Sequence, residues 1–228
     1  MHEDAGVTID AAAEGPGTAW SPIEIDPAAQ RPPFDWRALF ANDRPVELEI
    51  GSGKGMFLKV AARTCPEVNY LGVERASRFY RTAVDRLMRA RLPNVRLMRA
   101  DGLDVLDRWI APGSIRALHI YFPDPWPKKR HRKRRLFCPA LLDLATRVLP
   151  PGGEIRLATD HAEYGAAIRE LFDGARDRFA RADWAAAEAE RLPTNYALKW
   201  QRAGRVLWWG CYRRLPDRIG VTLAPPAP

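Results

Sequence analysis

Val46-Glu-Leu-Glu-Ile-Gly-Ser-Gly-Lys-Gly55, followed by Asn69-Tyr-Leu-Gly-Val-Glu74, decides the fold. Each begins as a short segment of strand length. The first ends in a loop of alternating glycines and passes into a helical segment from Met56 to Arg63. The second ends on a carboxylate. A strand, a glycine loop, a helix and a second strand open an α/β alternation.

The alternation continues downstream. Ser77 is placed to cap a helix in which Tyr80, Val84, Leu87 and Met88 share one face. Val95 to Arg99 and Ile115 to Tyr121 read as the third and fourth strands. Phe137, Leu141, Leu144 and Val148 stripe a helix that stops at Pro150-Pro-Gly-Gly153. Glu154 to Thr159 reads as strand five, Tyr164, Ile168, Leu171 and Phe172 mark the next helix, and Val206 to Tyr212 is a late strand. The pattern predicts a doubly wound, mostly parallel sheet with a late antiparallel strand. Residues 1–33 read as a flexible acidic arm, 34–220 as one domain and 221–228 as a tail.

In such a sheet ligands bind beyond the carboxyl ends of the strands, where strand order reverses. Polar residues gather at those ends: the glycine loop after the first strand, Glu74 after the second, Asp101 after the third, Asp124 after the fourth, and Thr159-Asp160-His161 after the fifth. One acid after a strand is commonly a helix cap, but four in succession make a site. The loop is not a P-loop, because Lys54 is followed by Gly55 rather than Ser or Thr. It is not a dinucleotide fingerprint, because Met56 stands where the third glycine or alanine belongs. A Gly-x-Gly-x-Gly loop with Glu49 upstream suits S-adenosyl-L-methionine better. Gly51 and Gly53 let the backbone close around an amino-acid moiety, and Glu74 can accept from both ribose hydroxyls. The ligand's sulfonium and ammonium account for the crowding of acids.

Phe122-Pro-Asp-Pro-Trp126 runs directly into Lys128-Lys-Arg-His-Arg-Lys-Arg-Arg135. The prolines on either side of Asp124 fix φ and stiffen the turn; the block after it is a grip on phosphates. Net charge is +8, yet residues 1–30 hold six carboxylates and no Lys or Arg, so the remainder sums to +14. Half of that lies between Lys128 and Arg135, and a clustered excess is an electrostatic footprint for nucleic acid. A solvated charge run is the bland alternative, outweighed here because the block abuts Asp124.

Three widely spaced cysteines offer neither a disulfide framework nor a metal site, which fits a reducing cytoplasm. No secretory leader or membrane-spanning apolar run is legible. The chain reads as soluble and cytoplasmic, with no membrane partner and no metal.

The residues resemble the bacterial tRNA (guanine-N7-)-methyltransferases over roughly residues 34–215. Tyr121 to Arg135 is similar to that family's signature almost letter for letter, and Leu48 to Gly55, Leu71 to Glu74, Thr159 to His161 and Thr194 to Tyr196 match in order and spacing. The resemblance implies a Rossmann-like methyltransferase fold that uses S-adenosyl-L-methionine to methylate a guanosine in the tRNA variable loop. It implies that Glu49, Gly51, Gly53, Glu74 and Asp101 bind the donor, and that Asp124 lies where donor and target meet as the catalytic residue. Lys128, Asp160 and Thr194 are implied to contact the substrate, and Arg130, His131, Arg132, Lys133, Arg134 and Arg135 the RNA. The family usually has Glu three positions after the threonine matched by Thr194; here that position is Ala197, which shifts guanine recognition toward Asp160.

Trp126 reads either as a ring facing the base or as a plug at the sheet end, and His161 as a structural residue. Two rival classes remain. A small-molecule methyltransferase has no use for the 128–135 block. A non-catalytic RNA-binding protein does not explain acids at four strand ends.

Overall fold

The computed structural model describes residues 21–183 and 206–217 of the 228-residue chain. Among them one sheet has the order β3-β2-β1-β4-β5-β7-β6, with β1 (Val46–Ile50), β2 (Asn69–Val73), β3 (Val95–Met98), β4 (Ala117–Tyr121) and β5 (Glu154–Thr159) parallel. The late strand β7 (Trp208–Arg214) runs antiparallel between β5 and β6 (Phe179–Ala182). The helices are α1 (Trp36–Phe40), α2 (Met56–Thr64), α3 (Ser77–Ala90), the short α4 (Gly102–Asp104) running into a π-helical turn over Val105–Trp109, α5 (Pro139–Val148) and α6 (Ala162–Asp173).

β1 is central and buried along its whole length, as expected of a parallel strand covered on both faces. Val46, Leu48 and Ile50 join the cluster containing Leu141, Val148 and Ile168. The intervening Glu47 and Glu49 are buried as well, because α2 and α3 cover the other face with Phe57, Leu58, Tyr80 and Leu87. Strand order reverses between β1, which is followed in sequence by β2 on one side, and β4 on the other. The site opens there.

Three expectations are corrected, and one strand was not anticipated. Residues 21–33, assigned by composition to the flexible arm, are partly built into the fold. Ile23 and Ile25 are buried, the Ile25 N–H donates to Leu97 O at 2.8 Å, and the Leu97 N–H donates to Ile23 O at 2.7 Å. This pairing covers the open edge of β3, which would otherwise leave unpaired backbone groups. Ser77 does not cap α3: Ala76 holds the cap position in extended conformation, and its N–H is taken by Glu74 Oε1 at 2.7 Å. Phe137 precedes α5, which starts at Pro139 after Cys138, as suits a proline whose missing N–H has no helical partner. β6 lacked a legible signal, since only Phe179 of its four residues is fully buried.

Candidate active site and nucleic-acid interface

The glycine loop needs its glycines for conformation. Gly51, Gly53 and Gly55 have φ of 74°, 54° and 67°, the left-handed region that disfavours a Cβ. The N–H groups of Gly51 and Ser52 both donate to Val73 O, at 2.8 and 3.0 Å, and the Gly53 N–H donates to Glu74 Oε2 at 2.8 Å. The end of β1 is thereby fastened to the end of β2.

Beyond the loop lies a cleft of about 1100 Å³. Glu49, Gly51, Gly53, Glu74, Asp101 and Asp124, predicted from separate strand ends, all line it. Asp101 caps α4 by accepting the Leu103 N–H at 3.0 Å and faces Arg75 at 3.7 Å, both side chains being largely exposed. Glu49 lies deep. Its Oε2 and the Ser52 hydroxyl are buried without a hydrogen-bond partner among the described residues. Burial and then the nearby Glu74 carboxylate hold Glu49 well above the usual carboxylate range. A buried acceptor and a buried hydroxyl at the floor of an acid-lined cleft fit a ligand that brings an ammonium and further hydrogen-bonding groups.

Asp124 is exposed on a turn held in an unusual shape. Phe122 and Trp126, on either side of Pro-Asp-Pro, have φ of 52° and 40°, which costs non-glycine residues energy and persists only where surrounding contacts impose it. Those contacts are visible. Arg135 Nε donates to Pro125 O at 2.8 Å, and its guanidinium reaches Glu163 at 3.2 Å and lies over the Tyr164 ring at 4.7 Å. Trp126 lines the cleft, with Arg134 over its ring at 5.0 Å and His131 edge-on at 5.8 Å. The basic block is a 3₁₀ helix over Lys129–Arg134. Lys133 and Arg134 are exposed and line the cleft. Arg132 is paired with Glu163 at 2.8 Å, and Arg135 is turned into the fold with its side chain 9% exposed. Lys128, Arg130 and His131 lie on the same turn outside the lining, as does Asp160 after β5. Thr194 and Ala197 fall outside the described residues. His161 is structural: its Nδ1 accepts the Tyr164 N–H at 3.2 Å and caps α6.

Beneath the cleft runs a polar chain, buried except for the Arg116 at its start, that the alternation of β1 and β4 did not reveal. Arg116 donates to Glu47 Oε1 at 2.6 Å, Glu47 Oε2 meets His119 Nε2 at 2.8 Å, and His119 Nδ1 meets the Tyr121 hydroxyl at 2.8 Å. With Nε2–H donating to the carboxylate and the Tyr121 O–H donating to Nδ1, every one of these contacts pairs a donor with an acceptor. Burial, the largest influence, would raise Glu47, but His119 and Arg116 together outweigh it and bring the carboxyl to about 2. Burial lowers His119, with Glu47 opposing. The chain ends at Tyr121, whose ring lines the cleft immediately before the Asp124 turn. Tyr121 and Ser52 line the cleft as well; both lie inside the quoted motifs, but neither had a role legible there. Phe79 is a third, and its only signal was an aromatic standing off the apolar stripe of α3.

A family model described as a putative methyltransferase matches residues 43–209, from ahead of β1 into β7. The fold agrees. A 16S rRNA methyltransferase, KamB, is 16% identical and superposes with a TM-score of 0.56 over 80% of this chain and 93% of its own. An rRNA methylase from Streptococcus thermophilus, 13% identical, gives 0.53 over 77% and 89%. This is a methyltransferase with a Rossmann-like sheet. A tRNA (guanine-N(7)-)-methyltransferase from Streptococcus mutans is 37% identical over 183 residues, 76% of this chain and 83% of that one; one from Streptococcus pneumoniae is 36% identical over the same shares. The chain belongs to the tRNA (guanine-N(7)-)-methyltransferase family.

Proposed function

We propose that the protein transfers a methyl group from S-adenosyl-L-methionine to N7 of a guanosine in tRNA, in the variable loop by family resemblance. One observation carries this reading. The cleft that begins at the glycine loop with Glu49, Glu74 and Asp101 continues past Asp124 to Trp126, Lys133 and Arg134. Donor-type and phosphate-type groups thus share one cavity.

When bound, S-adenosyl-L-methionine supplies an electrophilic methyl carbon on a cationic sulfur that leaves as a neutral thioether. Guanine N7 already presents its lone pair, so no residue has to remove a proton first. What the protein supplies is alignment and charge. Glu49, with the Ser52 hydroxyl beside it, faces the donor's ammonium. Glu74 and Asp101 hold the donor from the ends of β2 and β3. The Asp124 carboxylate stabilises positive charge as it passes to the purine ring. The stiff turn around Asp124 keeps that carboxylate in place without reorganisation. Lys128 and Asp160 serve the substrate side, and Lys133 and Arg134 take phosphates next to the reacting base. The reading places the protein with tRNA in the cytoplasm; no helix of the described residues is long and apolar enough to cross a membrane.

Incubation with tRNA and methyl-labelled donor, followed by nuclease digestion and mass spectrometry, tests the reading. Labelled 7-methylguanosine is expected. Label in a small molecule only, or tight RNA binding without label, would replace this reading with one of its rivals.

A further inference from the structure

We propose that the cleft holds the methylated base more tightly than guanine itself, so that departure of the product limits turnover. The inference rests on the reading of the reaction as N7 methylation of a guanosine and extends it to the step after transfer.

The reaction leaves its charge behind. The N7 lone pair forms the new N–C bond, the C–S bond breaks, and its electron pair returns to sulfur. N7 carries no proton, so none departs, and the purine keeps the positive charge. Methylation of an amino or hydroxyl group ends differently, because the proton that leaves takes the charge with it. Groups that stabilise the purine cation in the transition state therefore meet the same cation in the product.

The turn after β4 presents two such groups. Asp124 is exposed and lines the cleft. Arg132 and Arg135 of the basic block are paired with Glu163 rather than with Asp124, so neither neutralises it. Trp126, two residues on, also lines the cleft, and the Arg134 guanidinium lies over its ring at 5.0 Å. A cation therefore already rests on that ring.

Arg134 is exposed, and a nucleotide offers it a better partner. The base takes the ring, and the guanidinium turns to the phosphate, which it can grip through two N–H groups at once. A neutral guanine gains little on the ring by this exchange, since it replaces a cation there. A methylated guanine brings the cation with it.

Rigidity keeps the preference in place. Pro123 and Pro125 flank Asp124. The φ angles of 52° at Phe122 and 40° at Trp126 are held by contacts such as that from Arg135 Nε to Pro125 O at 2.8 Å. Carboxylate and ring are thus set before the charge arrives and do not relax away from it afterwards.

The test uses GMP, 7-methylguanosine 5′-monophosphate and the 5′-monophosphate of 7-methyl-7-deazaguanosine, which has the methyl group without the charge. Each competes with fluorescent tRNA for the wild-type protein in mildly acidic buffer, where the methylated base keeps its full charge. The 7-methylguanosine nucleotide should displace tRNA at roughly 10- to 100-fold lower concentration than GMP, and the deaza nucleotide should stay within about threefold of GMP, as one cation–π and one charge-assisted contact imply. Asp124→Asn and Trp126→Leu should each remove most of that preference while GMP competition changes little. Trp126→Phe, which keeps a ring, should retain part of it. With tRNA in excess, wild type should give a burst of about one methyl group per active site and then a slower steady state. A linear time course overturns the claim on turnover. Equal competition by GMP and the 7-methylguanosine nucleotide, or by the charged and deaza nucleotides, overturns product retention; labelled 7-methylguanosine in tRNA would still leave the function standing. Wild type that forms no 7-methylguanosine in tRNA overturns both.

Discussion

The Glu74 carboxylate accepts the Gly53 N–H through Oε2 and the Ala76 N–H through Oε1, so one side chain at the end of β2 shapes both the glycine loop and the start of α3. Glu74 also lines the cleft, where the proposed donor's ribose hydroxyls would meet it. The same residue is thus a loop fastener and, in the proposed function, a donor contact.

Glu74→Ala should weaken donor binding on the order of 10- to 100-fold, the range for loss of hydrogen bonds to a charged group. The melting temperature should also fall, because two backbone N–H groups lose their acceptor. Calorimetry with unchanged donor affinity in a folded variant would remove Glu74 from the site.

Glu49 connects donor binding to pH. Its carboxyl is held well above the ordinary range by burial and by Glu74, and an arriving cation lowers it. Donor binding should therefore release a proton, and donor affinity should rise with pH over the range where Glu49 ionises. Calorimetry in buffers of different ionisation enthalpy measures the proton count. Glu49→Gln should bind more weakly and show no Glu49-linked release; identical proton release in wild type and variant would sink the assignment.

Asp124→Asn keeps shape and loses charge. If the carboxylate stabilises the cationic purine, single-turnover methyl transfer at saturating donor and tRNA should fall by about 10²-fold or more, as for other preorganised electrostatic groups. tRNA affinity should change little. A near-normal rate would shift the role to Asp160 and the loop backbone.

The buried chain beneath the cleft governs acid stability. Glu47 is brought down to about 2 from the usual 4.5. The stability it confers is therefore fully present above about 4.5 and is lost as pH falls toward 2, at most roughly 3 kcal/mol. His119 is lowered by burial, so its contribution is present above its ordinary value near 6.5 and erodes below it. Glu47→Gln should be less stable at pH 7 and show a flatter stability profile between pH 4.5 and 2, measured by urea unfolding. Parallel profiles for the two proteins would show that this carboxylate is not the linked group.

Arg135 and Arg134 are neighbours in one basic block with opposite surroundings. Arg135→Ala should destabilise the protein, because the Pro125 carbonyl, Glu163 and Tyr164 lose a nearly buried partner, whereas Lys133→Ala/Arg134→Ala should leave the melting temperature within a degree or two and lower the tRNA salt slope by about one to two units. Equal melting losses in both variants would contradict the division.

Local pattern carried the architecture. Strand-length apolar runs, glycine punctuation and helical stripes are short-range signals, and they located β1 to β5, β7 and the larger helices to within a residue or two. The sheet rule then placed Glu49, Glu74, Asp101 and Asp124 around one opening before any contact was known, because a parallel sheet gathers the ends of its strands whatever the side chains are. The glycine loop was legible for a similar reason: its left-handed backbone strongly favours one residue type.

Tertiary packing decided the rest. Alternating Val-Glu-Leu-Glu-Ile looks half-exposed, yet β1 is covered on both faces, so Glu47 is buried against His119, a partner 72 residues away, and Glu49 is buried and held toward its neutral form. Ile23 and Ile25 looked like part of an unstructured arm, and only the unpaired edge of β3 gave them a place. Ser77 had the right chemistry for a cap, but Glu74 reached the backbone first. Arg134 and Arg135 are chemically identical in sequence and both border the cleft; the position of Glu163 and Tyr164 on α6 buries one and leaves the other exposed. Composition counts charges without their surroundings, and burial, pairing and pKa depend on neighbours that only the folded chain brings together.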